Sequence, residues 1–310
     1  MVPDGNGFVN MSVSSDAFHR LGRSRFQAYA DFARNSGIFP ATTEVDGIAM
    51  ELYRWNAEAS AVLMRYIPWI EVLVRNAIDE QLRLWLSRQT PQPYDDWIDV
   101  ADTHPMDRIR ALINTAEKDY LSEARRTALS KKRFWRSDQS HPRHGDEIDR
   151  DDVFAQLTFG TWDGMLSRAA NDPELARILM GAFPNIENAW ESETRRMPNS
   201  SLPGNESDSR EDRLRRELIS RLKGIRVVRN RIGHDENLLR VNFPKIRHDM
   251  YFVLNSLGAD YPRWAFPDKA ELLKRLNPVQ VLPDVYLEVQ HPCWSCNSNS
   301  SSANASAGVR

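Results

Sequence analysis

The chain has 310 residues, 41% hydrophobic and 27% charged, with a formal net charge of −2 at pH 7. That is enough to bury a core in one large domain or two small ones, and the charge balance excludes a uniformly basic coat for nucleic acid. No run of about 18 apolar residues predicts a membrane-spanning helix. The first residues lack the basic-then-apolar pattern of a signal peptide. The two cysteines, Cys293 and Cys296, exclude a disulfide-built secreted fold and fit a reducing cytoplasm.

Residues 1–18 read as a flexible lead, 19–280 as one helical domain, and 281–310, ending in Ser, Asn and Ala, as a largely disordered tail. The first strong helical period covers 46–67, with Ile48, Leu52, Trp55, Ala59, Val62, Leu63 and Tyr66 in phase. Pro68 is expected to end or kink it, and a second helix is expected over 68–86. On that helix Glu71, Arg75, Asp79 and Arg83 form a ladder at four-residue spacing. A third helix is predicted over roughly 106–129, running into a segment that is basic first and acidic last, with a loop in its middle. Helices are predicted at 151–169 and 172–183, Pro173 suiting a first turn. A loop follows at 195–212, then helices at 211–233, 243–257 and 268–277. The expected class is all-α, a helical bundle.

The stretch RNRIGHDE, residues 229–236, admits two readings. Glycine and basic residues closing a helix, with a histidine in the last turn, are what capping and dipole rules favour. The same residues also make a reaction site. Histidine titrates near neutrality and moves a proton; arginine presents a fixed fork of donors to phosphate oxygens. Asn230 can position either. Together they suit RNA cleavage without a metal: the 2′-hydroxyl attacks the adjacent phosphate, a base takes its proton, and arginine stabilises the developing charge. On a straight helix, however, Arg229 and His234 lie five steps of about 100° apart, on different faces. Gly233 could end the helix there, the long Arg229 side chain could wrap round, or a partner chain could complete the site.

These residues resemble the Arg-x4-6-His motif of the HEPN superfamily, and more specifically the Abi-like abortive-infection group (AbiD/AbiF). Gly233 stands where an alanine is common, and Asp235 where a second histidine is common. ELYRWNAEAS followed by IEVLVRNAIDEQL resembles the group's N-terminal helix pair. DDVFAQLTFGTWDGML resembles its central helix, and SRFQAYADFA its opening segment. The likeness covers roughly residues 20–275. It implies a HEPN-type helical bundle with additional helices and a metal-independent endoribonuclease, a toxin-like or antiphage effector that needs no cofactor. It assigns Arg229, Asn230 and His234 to catalysis. The other Arg-Asn pair, Arg75–Asn76, has Glu80 where a histidine would be needed, so the second motif should come from a second subunit of a homodimer. An antitoxin protein or a noncoding RNA is a further possible partner; a membrane is not. The alternative reading is a non-catalytic RNA- or partner-binding module.

Among the remaining candidates, Glu71, Arg75 and Asn76 are either a solvated salt ladder or a support that orients the motif helix. Lys131, Lys132 and Arg133, beside Phe134 and Trp135, could track phosphates and stack bases, or form a solvated helix end. Arg226 and Arg231, flanking the catalytic pair, are the expected phosphate contacts. A second local basic region runs through Arg213, Arg215, Arg216, Arg221 and Lys223. Cys293, Cys296 and His291 make three potential zinc ligands where four are the rule, and no metal is expected. His19, His104, His141, His144 and His248 show no ligand spacing.

Overall fold

The computed structural model describes residues 20–40, 42–89, 96–98, 104–280 and 282–283. The cysteine pair, His291, His19, the lead at 1–18 and nearly all of the tail lie outside them. Among the described residues every regular element is helical and no strand occurs. The all-α class is therefore shown. No helix there is long and apolar enough to cross a membrane.

In chain order the helices are α1 (Arg23–Asn35), α2 (Asp46–Leu86), α3 (Met106–Ile113), α4 (Tyr120–Ser137), α5 (Arg150–Phe154) and α6 (Phe159–Arg168). They continue as α7 (Pro173–Met180), α8 (Ile186–Arg196), α9 (Arg210–Gly233), α10 (Phe243–Leu257) and α11 (Tyr261–Ala265). Single 3-10 turns sit at Ala169–Asn171 and Glu271–Arg275.

Pro68 neither ends α2 nor divides it: 41 residues run as one helix through the proline. An interior proline costs about 3 kcal/mol. Leu63, Ile67, Ile70, Val74, Ile78 and Leu82 are all fully buried on both sides of it. At about 1.5–3 kcal/mol per buried aliphatic side chain, that stripe outweighs the loss. The helix expected at 106–129 is instead two, because Asp119 caps a new start, accepting the Ser122 N–H at 2.9 Å and the Asn114 amide at 2.9 Å. The helix expected at 151–169 also divides. A capping box between Asp149 and Asp152 begins α5, and α6 restarts at Phe159. Helix α8, which was not expected from the sequence, occupies 186–196 with Ile186, Ala189 and Trp190 inward. The predicted 268–277 helix shrinks to the second 3-10 turn.

The described residues fall into two compact units. Of the described residues, the first comprises those in 20–62, 231–242 and 274–283. Its core includes Tyr29 packed edge to face on Tyr53, with ring centroids 5.5 Å apart, and the buried Leu52, Trp55, Leu238 and Leu239. The second unit comprises 63–89, 96–98, 104–230 and 243–273. Here α10 packs along α8, α3 against α6, and α4 against α5. Trp97, Phe154 and Trp162 form its aromatic centre.

Candidate active site

Helix α9 brings the motif to its C-terminal end. The helix continues through Gly233, so the glycine does not break it. The end is a Schellman turn one residue later. The Glu236 N–H donates to Arg231 O at 2.8 Å and the Asp235 N–H to Ile232 O at 3.1 Å. His234 is thereby the C-cap, exposed to solvent. The left-handed position that follows is held by Asp235, at φ 52°, and not by glycine. Arg231 Nε lies 3.5 Å from Glu236 Oε2, so Arg231 also braces this turn.

The turn is held from within the first unit by a residue the motif gave no hint of. The buried Asn56 side chain on α2 accepts the Leu238 N–H at 2.7 Å. Asn56 stands among the apolar positions Leu52, Trp55 and Ala59, and an amide in such a stripe signals a buried polar partner.

In the second unit, Arg229 and Asn230 are half-buried on the last turns of α9. Arg229 Nε sits 3.9 Å from Glu71 Oε2, an ion pair too long for a hydrogen bond, and its side chain stays 41% exposed. Glu71 thus lies beside the motif arginine. Of its helical neighbours on the ladder, Arg75 and Asp79 are drawn into the fold and Arg83 is exposed. Asp79 is buried, accepts the Trp97 indole N–H at 2.7 Å, and is ion-paired to Arg150. Burial pushes its carboxyl up, with Arg150 opposing. The Arg75 guanidinium lies 5.3 Å over the Phe154 ring, and Asn76 is exposed.

Arg226, one turn before Arg229, approaches the buried Asp163 at 3.0 Å, too obliquely for a hydrogen bond. Burial pushes the Asp163 carboxyl up, and Arg226 and Lys223 pull against it. Gly160 lies alongside this arginine, where an added Cβ would make ordinary contact with Arg226 Cδ at 3.5 Å. Arg226 is therefore partly committed to a carboxylate within the fold.

Two expectations about basic surface are corrected. Lys132 is buried and ion-paired to Glu147, so it leaves the set of surface cations; Lys131 and Arg133 remain exposed. Of the aromatics there, Phe134 is exposed but Trp135 is covered by the Arg143 guanidinium at 4.0 Å and stacked on His141. The basic run on α9 is largely internal as well. Arg215 is buried and donates to Leu166 O at 2.9 Å, Arg213 donates to Leu202 O, and Arg216 pairs with Asp208. Arg221 is buried between Glu217, Glu193 and Asp249. Its guanidinium lies 4.1 Å over Phe252, and Glu193 also binds His248. His248 is thus part of a buried ionic cluster that spacing alone did not reveal.

Among the described residues no group of three or more His, Cys, Asp or Glu is arranged to hold a metal ion. The chemistry on offer at the end of α9 is a proton-transfer group, a guanidinium with unfilled donors and an amide. Comparison of the chain with protein-family models, with curated proteins and with solved structures finds no match.

Proposed function

We propose that the chain is a metal-independent endoribonuclease of the HEPN type, belonging to the Abi-like group and acting in the cytoplasm as a homodimeric, toxin-like or antiphage effector. The observation that carries this reading is the set of groups at the end of α9: an exposed C-cap His234, and an Arg229 whose nearest carboxylate is too far to hydrogen-bond it. Other arginines of the same helix are bonded within the fold. Two further segments quoted for the resemblance lie by this helix: Glu71 beside Arg229, and Gly160 and Asp163 beside Arg226.

In the reaction, His234 takes the proton of the ribose 2′-hydroxyl as its oxygen attacks the adjacent phosphorus. Arg229 holds the non-bridging oxygens and stabilises the added charge of the transition state. The departing 5′-oxygen leaves with a proton supplied by the second subunit's copy of the histidine. The products are a 2′,3′-cyclic phosphate and a 5′-hydroxyl. Asn230 positions the phosphate, and Arg231 offers a further cation where its ion pair with Glu236 opens. In a homodimer the copies of α9 face each other, and Val227, half-exposed on that helix, supplies apolar surface for the contact.

The test is end-mapping of RNA incubated with the purified protein in excess chelator, with His234→Ala alongside. Cyclic-phosphate ends that appear only with the wild type support the reading. Binding without cutting by the wild type would replace it with the RNA-binding module.

A further inference from the structure

In the second unit, Trp69 on α2 and Trp264 on α11 meet edge to face, ring centroids 5.0 Å apart. They nevertheless stay 41% and 61% exposed. They wall a cavity of about 240 Å³ whose other lining includes Arg65, Tyr66 and Asp268. The floor is rigid. Tyr66 is buried against Phe266 and donates its hydroxyl to Asp268 Oδ2 at 2.6 Å; the Ala270 N–H donates to Oδ1 at 3.1 Å. The Tyr66 bond, foremost, holds the Asp268 carboxyl below its ordinary range, so it stays an ionised acceptor. Each oxygen keeps a lone pair for a ligand. Arg65 is held loosely, 3.5 Å from the same carboxylate, with most of its side chain in solvent.

Three chemical demands follow for an occupant. Open indole surface favours a flat π system. A fixed carboxylate favours two adjacent N–H donors in the plane of that ring. A largely solvent-exposed guanidinium at the rim favours a phosphate oxygen. A quaternary ammonium fits the indoles but meets Arg65. A second copy of the chain needs about 800 Å² per partner, more than two part-exposed indoles and the neighbouring Val72 provide.

We propose that the Trp69–Trp264 cleft binds one unpaired base of a single-stranded RNA, guanine in preference to the other bases, with Arg65 on the adjoining phosphate. The ring N–H and exocyclic amine of guanine donate together to Asp268. The inference rests on RNA as the ligand, as in the proposed function, but not on its cleavage, and it shares no residue with the α9 site.

The test uses the full-length His234→Ala protein in chelator and fluorescence anisotropy of labelled oligouridylates with or without one internal guanosine. The guanosine strand should bind at least about fivefold more tightly. Trp264→Ala should weaken binding about tenfold, and Trp264→Phe should restore most of it. Asp268→Asn should erase the guanosine preference and leave uridylate binding in place. Arg65→Gln should lower the slope of log affinity against log salt by about 0.7. Unchanged affinity in a folded Trp264→Ala protein overturns the proposal, as does a preference that survives Asp268→Asn. Sedimentation showing that Trp264→Ala abolishes self-association, with no effect on oligonucleotide binding, assigns the face to a second copy instead. Cyclic-phosphate products from the wild type with no effect of these variants leave the nuclease reading standing and this one refuted; guanosine-selective binding without cutting does the reverse.

Discussion

Arg221 and Arg229 stand two turns apart on the same helix and meet opposite surroundings. Arg221 is buried, with Glu217 at 2.7 Å, Glu193 at 3.1 Å and Asp249 at 3.5 Å, and an aromatic face beneath it. Arg229 has one carboxylate at 3.9 Å and open solvent. A guanidinium already bound on its fork has little left for a ligand, and removing it strands buried carboxylates. A guanidinium left half-paired contributes little to folding and keeps its donors for something else. The contrast separates the arginines that build α9 from the one whose donors stay available at its end.

The largest expected effect breaks the comparison on the functional side. His234→Ala should lower RNA cleavage by about 10²–10⁴-fold, the range for loss of general acid–base catalysis, with a melting temperature close to wild type. The measurement is single-turnover cleavage alongside a thermal melt; retained cleavage removes His234 from the mechanism. On the structural side, Arg221→Met removes the cation shared by the buried Glu193 and Asp249, leaving His248 to the first and Lys245 to the second. It should cost about 3–5 kcal/mol by urea unfolding, the range for breaking a buried ion pair. Arg229→Met, by contrast, should cost under about 1 kcal/mol, as expected of a partly exposed pair. Equal losses for the two would erase the distinction.

Asp163 sharpens the case of Arg226, which lies between these extremes. Burial raises the Asp163 carboxyl above its ordinary value of 3.8, so the folded protein holds that proton to higher pH than the unfolded chain. The native state then binds more protons in that window, and stability from this group falls as pH rises through it. The stability of the wild type relative to Asp163→Asn should therefore decline as pH rises from about 4, measured by urea titrations at several pH values; a rising difference contradicts the burial argument. The smallest effect concerns the cap. Asp235 occupies a left-handed position that costs a non-glycine residue about 1 kcal/mol, so Asp235→Gly should stabilise by up to that amount in a thermal melt and leave His234 in place. Destabilisation would mean that the Asp235 side chain holds the turn.

Helix content and the main boundaries were legible because periodicity and caps are local. Pro173 and Asp172 start α7 as the residues suggest, and the apolar periods at 46–67 and 68–86 mark the two halves of α2, though not their continuity through Pro68. The divisions at 114–119 and 155–158 were not legible, since Asp119 and Asp149 act through capping bonds that a continuous apolar stripe conceals. At the site, the motif residues could be named from their order. The roles of Asn56, Glu71 and Asp163 could not, because each acts on a residue more than 60 positions away in the chain.

By itself the sequence determined an all-helical chain, the placement of Arg229, Asn230 and His234 at a helix end, and a resemblance that suggests what they do. Only the tertiary structure decided which cations are spent inside the fold. Charge is a property of a residue, but its availability depends on which carboxylates and carbonyls the packing brings to it. Lys132 and Arg215 look in the sequence like Lys131 and Arg229 and are buried. Burial and partner distance arise from contacts between segments remote in the chain, and no local pattern encodes them.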